Sequence, residues 1–145
     1  MARRNQVPIG AIVLGVAGLI PFLGFAALAV SGTDGGLSSI GLSPRTILSA
    51  YGAVIASFLG GIRWGAAAAR GAGNADYLLA ILPSLVAWAA LAAPAPWDLR
   101  VLGGLVLAWG LVDQDLHRRG LAPLWLGRLR LVLSGVAGAA LLVAA

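Results

Sequence analysis

Apolar residues in this chain run in long blocks, and polar residues gather in the short stretches between them. Five blocks approach the roughly 20 residues that an α-helix needs to cross a bilayer. They cover residues 7–30, 46–69, 77–93, 98–113 and 129–144. The pattern predicts an all-α chain: one domain, residues 1–145, folded as a polytopic transmembrane bundle of about five helices.

Interruptions in the blocks refine this picture. Pro8 suits the first turn of the first helix. Pro21 falls in its middle, where a ring without an N–H displaces a carbonyl and predicts a kink. Residues 31–44, SGTDGGLSSIGLSP, read as a solvated loop, and Ser43-Pro44 as the start of the second helix. Pro83 lies in the first half of the third helix, with Ser84 beside it to bond a carbonyl that the proline frees. Pro94-Ala95-Pro96-Trp97 forms a tight connection, with Trp97 at the membrane interface. The fourth block is uninterrupted only over residues 101–112 and crosses if Arg100 snorkels. Residues 113–130 mix charge with Leu121, Leu124, Trp125 and Leu126, which predicts an interfacial segment near residues 114–127. The fifth helix is short and gains Leu129 and the last residues.

The second helix carries a finer periodicity. Small residues recur at every fourth position, Ser49, Ala53, Ser57, Gly61, Gly65 and Ala69. They share one face, and small faces let membrane helices approach closely. Gly52, Ala56, Gly60 and Ala67 form a second small face, and Arg63 lies in line with it. The bulky Ile47, Tyr51, Val54, Ile55, Phe58 and Ile62 fill the remaining sector and face lipid. Two small faces are more than one helix pair needs.

Composition agrees with a membrane protein. Hydrophobic residues make up 60% of the chain, and the mean hydropathy is +0.95. All ten basic residues are Arg and all five acidic residues are Asp, for a formal charge of +5. The charges flank apolar runs rather than forming a solvated basic face, so nucleic-acid binding is excluded. Arg3, Arg4, Arg70, Arg118, Arg119, Arg128 and Arg130 fall on one side of a five-helix bundle; Arg45 and Arg100 fall on the other. This bias predicts a cytoplasmic N-terminus, an outside C-terminus and an inner-membrane location. The basic head, residues 1–6, precedes an apolar run longer than a signal-peptide core, so the first helix reads as uncleaved. Without Cys, thiol chemistry and thiolate metal sites are excluded. A single His117 is too little for a histidine metal site, and it reads as a loop residue. No metal or cofactor is expected.

The position needing explanation is Arg63. An arginine at the bilayer centre costs about 2.5–3.5 kcal/mol, which pairing or snorkelling relieves. Arg63 points into the bundle or towards the cytoplasmic headgroups. Asp113 and Asp115 end the fourth helix, where a carboxylate opposes the helix dipole and needs a partner. An Arg63–Asp113 pair is expected, either as a structural lock or as a group handling an anion or proton. Trp64 sits beside it as a possible binding residue. Arg118, Arg119, Arg128 and Arg130, with Trp125, read as interfacial groups touching anionic lipid. No HExxH, GxSxG, Walker motif or carboxylate dyad is present.

Three segments, SFLGGIRWG (57–65), LPSLVAW (82–88) and Pro123-x-Trp125 followed by Leu129-Arg130-Leu131, resemble one family. It is the small bacterial membrane family called domain of unknown function 3429, related to mitochondrial transmembrane protein 69. The resemblance runs from Ile20-Pro21-Phe22 to the fifth helix. It implies a small helical inner-membrane protein with no established activity. It also suggests that Ser57, Gly61, Arg63, Trp64, Pro83, Ser84, Asp113 and Trp125 form a signature core.

These readings favour a non-enzymatic accessory, assembly or scaffold protein that packs against other membrane proteins or itself, in contact with membrane lipids. Two alternatives stand beside it. One is a small transporter or channel for protons or an anionic solute using Arg63 and Asp113. The other is a lipid- or quinone-binding protein near Trp64.

Overall fold

A computed structural model describes residues 7–145. The basic head, with Arg3 and Arg4, lies outside the described residues. Among those described, every regular element is helical: α1 (Ile9–Ala17), α2 (Leu19–Ser31), a 3₁₀ turn (Leu37–Ile40), α3 (Pro44–Arg70), α4 (Asn74–Leu91), α5 (Trp97–Val112), α6 (Gln114–Arg118) and α7 (Leu124–Val143). The first predicted helix corresponds to α1 and α2 together. Five membrane-scale units therefore form the bundle. Four of them, Ile9–Ser31, Pro44–Arg70, Asn74–Leu91 and Leu124–Val143, are long and apolar enough to cross a membrane. The fifth, α5, rises only about 24 Å and is packed among α3, α4 and α7.

The break between α1 and α2 falls at Gly18. Pro21 causes it, because a proline denies a hydrogen bond to the carbonyl four residues back and its ring crowds that group. That carbonyl belongs to Ala17, the last residue of α1. Next to the break, Tyr51 of α3 donates its hydroxyl to the Gly18 carbonyl at 2.9 Å. Its ring lies 4.9 Å from that of the buried Phe22. Tyr51 is therefore a packing residue, not a lipid-facing one, whereas Val54 and Phe58 are exposed as expected. Tyr51→Phe should lower stability by about 0.5–1.5 kcal/mol, the net worth of one hydrogen bond, measured by unfolding in detergent.

Helix α3 starts where Ser43 caps it, its Oγ accepting from the Thr46 N–H at 3.1 Å, with Pro44 at the first position. In the preceding loop, the Ser38 hydroxyl and the Gly36 and Ser38 N–H groups hold the Asp34 carboxyl below the usual range. Helix α4 starts at Asn74, three residues earlier than expected, and runs through Pro83 without ending. Ser84 makes no side-chain hydrogen bond among the described residues, so its expected repair of the proline gap does not occur.

Close packing is set by glycine at two crossings. Gly60 of α3 lies directly on the backbone of α4; a Cβ there would overlap the Ala80 carbonyl oxygen. Helices α5 and α7 meet at Gly103 and Gly138, where a Cβ on either would lie 3.0–3.1 Å from the carbonyl oxygen of the other. Gly110 meets Ser134 along the same line. This second crossing was not anticipated. Its trace in the sequence is a two-turn spacing, Gly103/Gly110, on one helix and a one-turn spacing, Ser134/Gly138, on the other.

The interfacial segment is corrected. Residues 114–127 do not form one separate segment but are built into the bundle. Helix α6 carries on from α5, Gly120 turns the chain at φ 69°, and α7 begins at Leu124 rather than near 129. Leu116 is 1% exposed. The Gln114 amide donates to the carbonyls of Gly110 and Gly127, each at 3.0 Å, and this pins the corner to the bundle.

The small faces of α3 are also redistributed. Leu48, Gly52, Ala56, Leu59, Gly60, Arg63 and Ala67 are buried. On the other predicted stripe, Ser49 and Ala53 are buried and Ser57 is half-buried. Gly61, Gly65 and Ala69 are exposed, so they do not pack helices of this chain together. The reason is geometric: α4 crosses α3 at Gly60, one residue and a 100° turn away.

Candidate functional site

Six charged side chains meet at the end of the bundle where α3 stops and α4 starts. Arg63 comes from the last third of α3. Asp76 stands in the first turn of α4, where a carboxylate is favoured by the helix dipole. Asp113 joins α5 to α6, Asp115 lies in α6, Arg119 just after it, and Arg130 in the second turn of α7. Three guanidinium groups thus face three carboxylates, and the cluster is formally neutral.

Arg63 is its hub. Its Nη2 donates to Asp76 Oδ1 at 3.2 Å and to Asp115 Oδ2 at 3.3 Å. Its Nη1 lies 3.5 Å from Asp113 Oδ1. Arg119 grips both oxygens of Asp76, at 2.6 and 2.8 Å. This is the two-pronged arrangement that makes arginine–carboxylate pairs strong. Arg119 also reaches Asp115 at 3.3 Å. Arg130 Nη2 approaches Asp113 Oδ2 at 2.5 Å. Asp76 holds the Arg119 guanidinium protonated more firmly than usual.

The cluster grades from dry to wet. Arg63 and Asp113 are 2% exposed, Arg130 and Asp76 5%, while Arg119 and Asp115 reach solvent. At the dry end, Nε and Nη1 of Arg63, both oxygens of Asp113, three nitrogens of Arg130 and the indole Nε1 of Trp109 lack aligned hydrogen bonds. Arg130 therefore relies on ion contact with Asp113.

A smaller ion pair closes the opposite end. Arg45, at the start of α3, contacts Asp98 at the start of α5 and donates to the Ala144 carbonyl at 2.8 Å. Arg45 and Arg63 are about 27 Å apart along α3 by helical rise, close to the roughly 30 Å of a hydrocarbon core. The two polar layers therefore bracket the apolar one, with Arg63 at a margin rather than at the centre.

The expected Arg63–Asp113 pair is present, and Asp115 joins it. Asp76 was missed because that helix was expected to begin at Tyr77; an acidic residue two positions after Asn74 was the available signal for an earlier start. Arg119 and Arg130, read as interfacial groups, are members of the cluster. Arg118 and Arg128 are exposed and Trp125 is half-buried. Trp97 is exposed, with the Arg100 guanidinium 5.3 Å from its ring centre. Trp64 turns away from Arg63, edge-on to Tyr77 at 4.9 Å. It lines an open recess with Asn74, Tyr77, Leu78 and Ile81, and Arg63 is not in that wall. The eight signature residues do not form one core. Arg63, Pro83 and Asp113 are buried, Gly61 and Trp64 are exposed, and Ser57, Ser84 and Trp125 lie between. Among the described residues, no group of three or more His, Cys, Asp or Glu is placed to hold a metal ion.

Comparison with known proteins agrees with this helical architecture. The family described as "Protein of unknown function (DUF3429)" matches residues 7–145. Transmembrane protein 69 of Xenopus tropicalis is 34% identical over 140 residues, covering 92% of this chain and 52% of that protein. The chain thus spans about half the length of this relative. No solved structure matches. With the family matching nearly the whole chain, this membrane protein belongs to the DUF3429 family.

Proposed function

We propose that the chain is a non-enzymatic, multi-pass protein of the inner (cytoplasmic) membrane, an accessory or assembly component that docks a helix of another membrane protein on α3. Gly61 and Gly65 carry this reading. A Cβ built on either meets no atom within 4 Å, so the packing of this chain requires neither glycine. Glycine inside a helix nevertheless costs about 1 kcal/mol relative to alanine. With Ala68 and Ala69 exposed beside them, they leave a flat lane on the outside of α3. Membrane helices associate through such lanes, because close backbone approach supplies the packing that lipid cannot.

The ion cluster supports the reading from the inside. Its buried members face one another rather than a solute, so it serves as a lock that holds α3 in place and keeps the lane rigid. Arg70, Arg118, Arg119, Arg128 and Arg130 lie at the cluster end, against Arg45 and Arg100 at the other. That bias supports a cytoplasmic orientation for the cluster end.

Gly61→Leu and Gly65→Leu test the proposal by filling the lane. In mild detergent after in-membrane crosslinking, the unaltered chain should be recovered with a partner membrane protein. Each variant should lower that recovery at least five-fold while keeping the unfolding midpoint of the parent. Recovery of the unaltered chain only as a monomer would overturn the proposal.

A further inference from the structure

The ion pairs leave one arginine beside a groove. Of the five aspartates, Asp76, Asp113 and Asp115 belong to the cluster, Asp98 contacts Arg45, and Asp34 is committed to the loop at Gly36 and Ser38. Among the described residues no aspartate remains for Arg128. Its side chain lines a lateral groove of about 540 Å³ between the start of α1 and the first turns of α7.

We propose that this groove binds one anionic phospholipid. Along α7, Trp125, Arg128, Leu129 and Val132 fall on one face by helical spacing, and Val7 and Ile12 form the facing wall. Arg128 and Trp125 stand at the rim, at the cluster end of the bundle. Leu129 and Val132 lie one turn further into the apolar layer. The cation meets a phosphate, the indole sits at headgroup level as tryptophan prefers, and the aliphatic wall receives the upper acyl chain. A zwitterionic lipid carries its own cation beside the phosphate and so compensates Arg128 only in part, and a soluble anion would have no use for the apolar wall. The groove is separate from the lane on α3.

The test is native mass spectrometry of the purified full-length chain in neutral detergent. It is titrated with phosphatidylglycerol or with phosphatidylcholine of the same acyl chains. Phosphatidylglycerol should bind at least five-fold more tightly. Arg128→Gln should remove that preference, the roughly five-fold loss expected for one basic residue at an anionic surface. Arg128→Lys should retain most of it, and Arg118→Gln should change it less than two-fold. Val132→Trp, which fills the groove, should weaken both lipids and decides the matter if Arg128→Gln fails to fold. Excess inorganic phosphate should not displace the lipid. Equal binding of the two lipids, equal losses from Arg118→Gln and Arg128→Gln, indifference to Val132→Trp, or displacement by phosphate would each overturn the proposal.

Discussion

Asp113→Leu is expected to destabilise the bundle by about 3–5 kcal/mol, the usual effect of stripping a buried charge of its partner. The acid serves two buried arginines unequally. Arg63 keeps Asp76 and Asp115. Arg130 has no other carboxylate among the described residues, so its charge would be left dry and uncompensated. The double variant Asp113→Leu/Arg130→Met should therefore recover most of the loss, because replacing a whole buried pair by apolar groups is often near neutral. Asp115→Leu is the control. Its side chain is 46% exposed, and both of its arginines keep Asp76, so it should cost no more than about 1 kcal/mol. Unfolding of the purified protein by SDS titration in mixed micelles measures all three. Equal losses from Asp113→Leu and Asp115→Leu would mean that burial does not set the energetics of this cluster.

The second large effect is expected at a single methyl group. Gly60→Ala places a Cβ on the backbone carbonyl of Ala80, which no side-chain rotation can move aside. The helices must separate, opening the contact with Ala80 and Pro83, and overpacking of this kind costs about 1–3 kcal/mol or more. Gly61→Ala, one residue along, meets open space and should be neutral or stabilising by up to about 1 kcal/mol through helix propensity. The same two unfolding curves decide it. If both variants behave alike, α3 and α4 do not cross at Gly60.

Much of the fold is legible in the sequence, and the reasons are local. Apolar blocks of membrane-spanning length are a property of the chain itself. Pro21 breaks the first helix one turn ahead of itself because the defect involves only its own ring and the carbonyl of Ala17. Ser43-Pro44 starts α3 through bonds within four residues. The Arg63–Asp113 pair was inferable because a charge in an apolar run demands an opposite charge at similar depth, and the order of helices brings Asp113 to that depth.

What stayed hidden depends on the angles at which helices meet. Small residues at every fourth position of α3 define two candidate faces, and periodicity cannot say which one α4 occupies. Arg119 and Arg130 looked like boundary charges because sequence neighbours give no account of burial. Arg119 is drawn in by Asp76, which the early start of α4 aims at the cluster, and Arg130 by Asp113, which α7 reaches because it starts early.

The division follows from the range of the forces. Helix number, the start of α3, the proline break and the need for a partner to Arg63 are settled within a turn or two, or by the cost of charge in hydrocarbon. These needed nothing beyond the amino-acid order. Which glycines touch, which arginines are dry, and which small residues are left facing outwards were decided by packing. Close contact between helices depends on crossing points that only the assembled bundle defines. One residue of offset separates Gly60, sealed against Ala80, from Gly61, open to a neighbour.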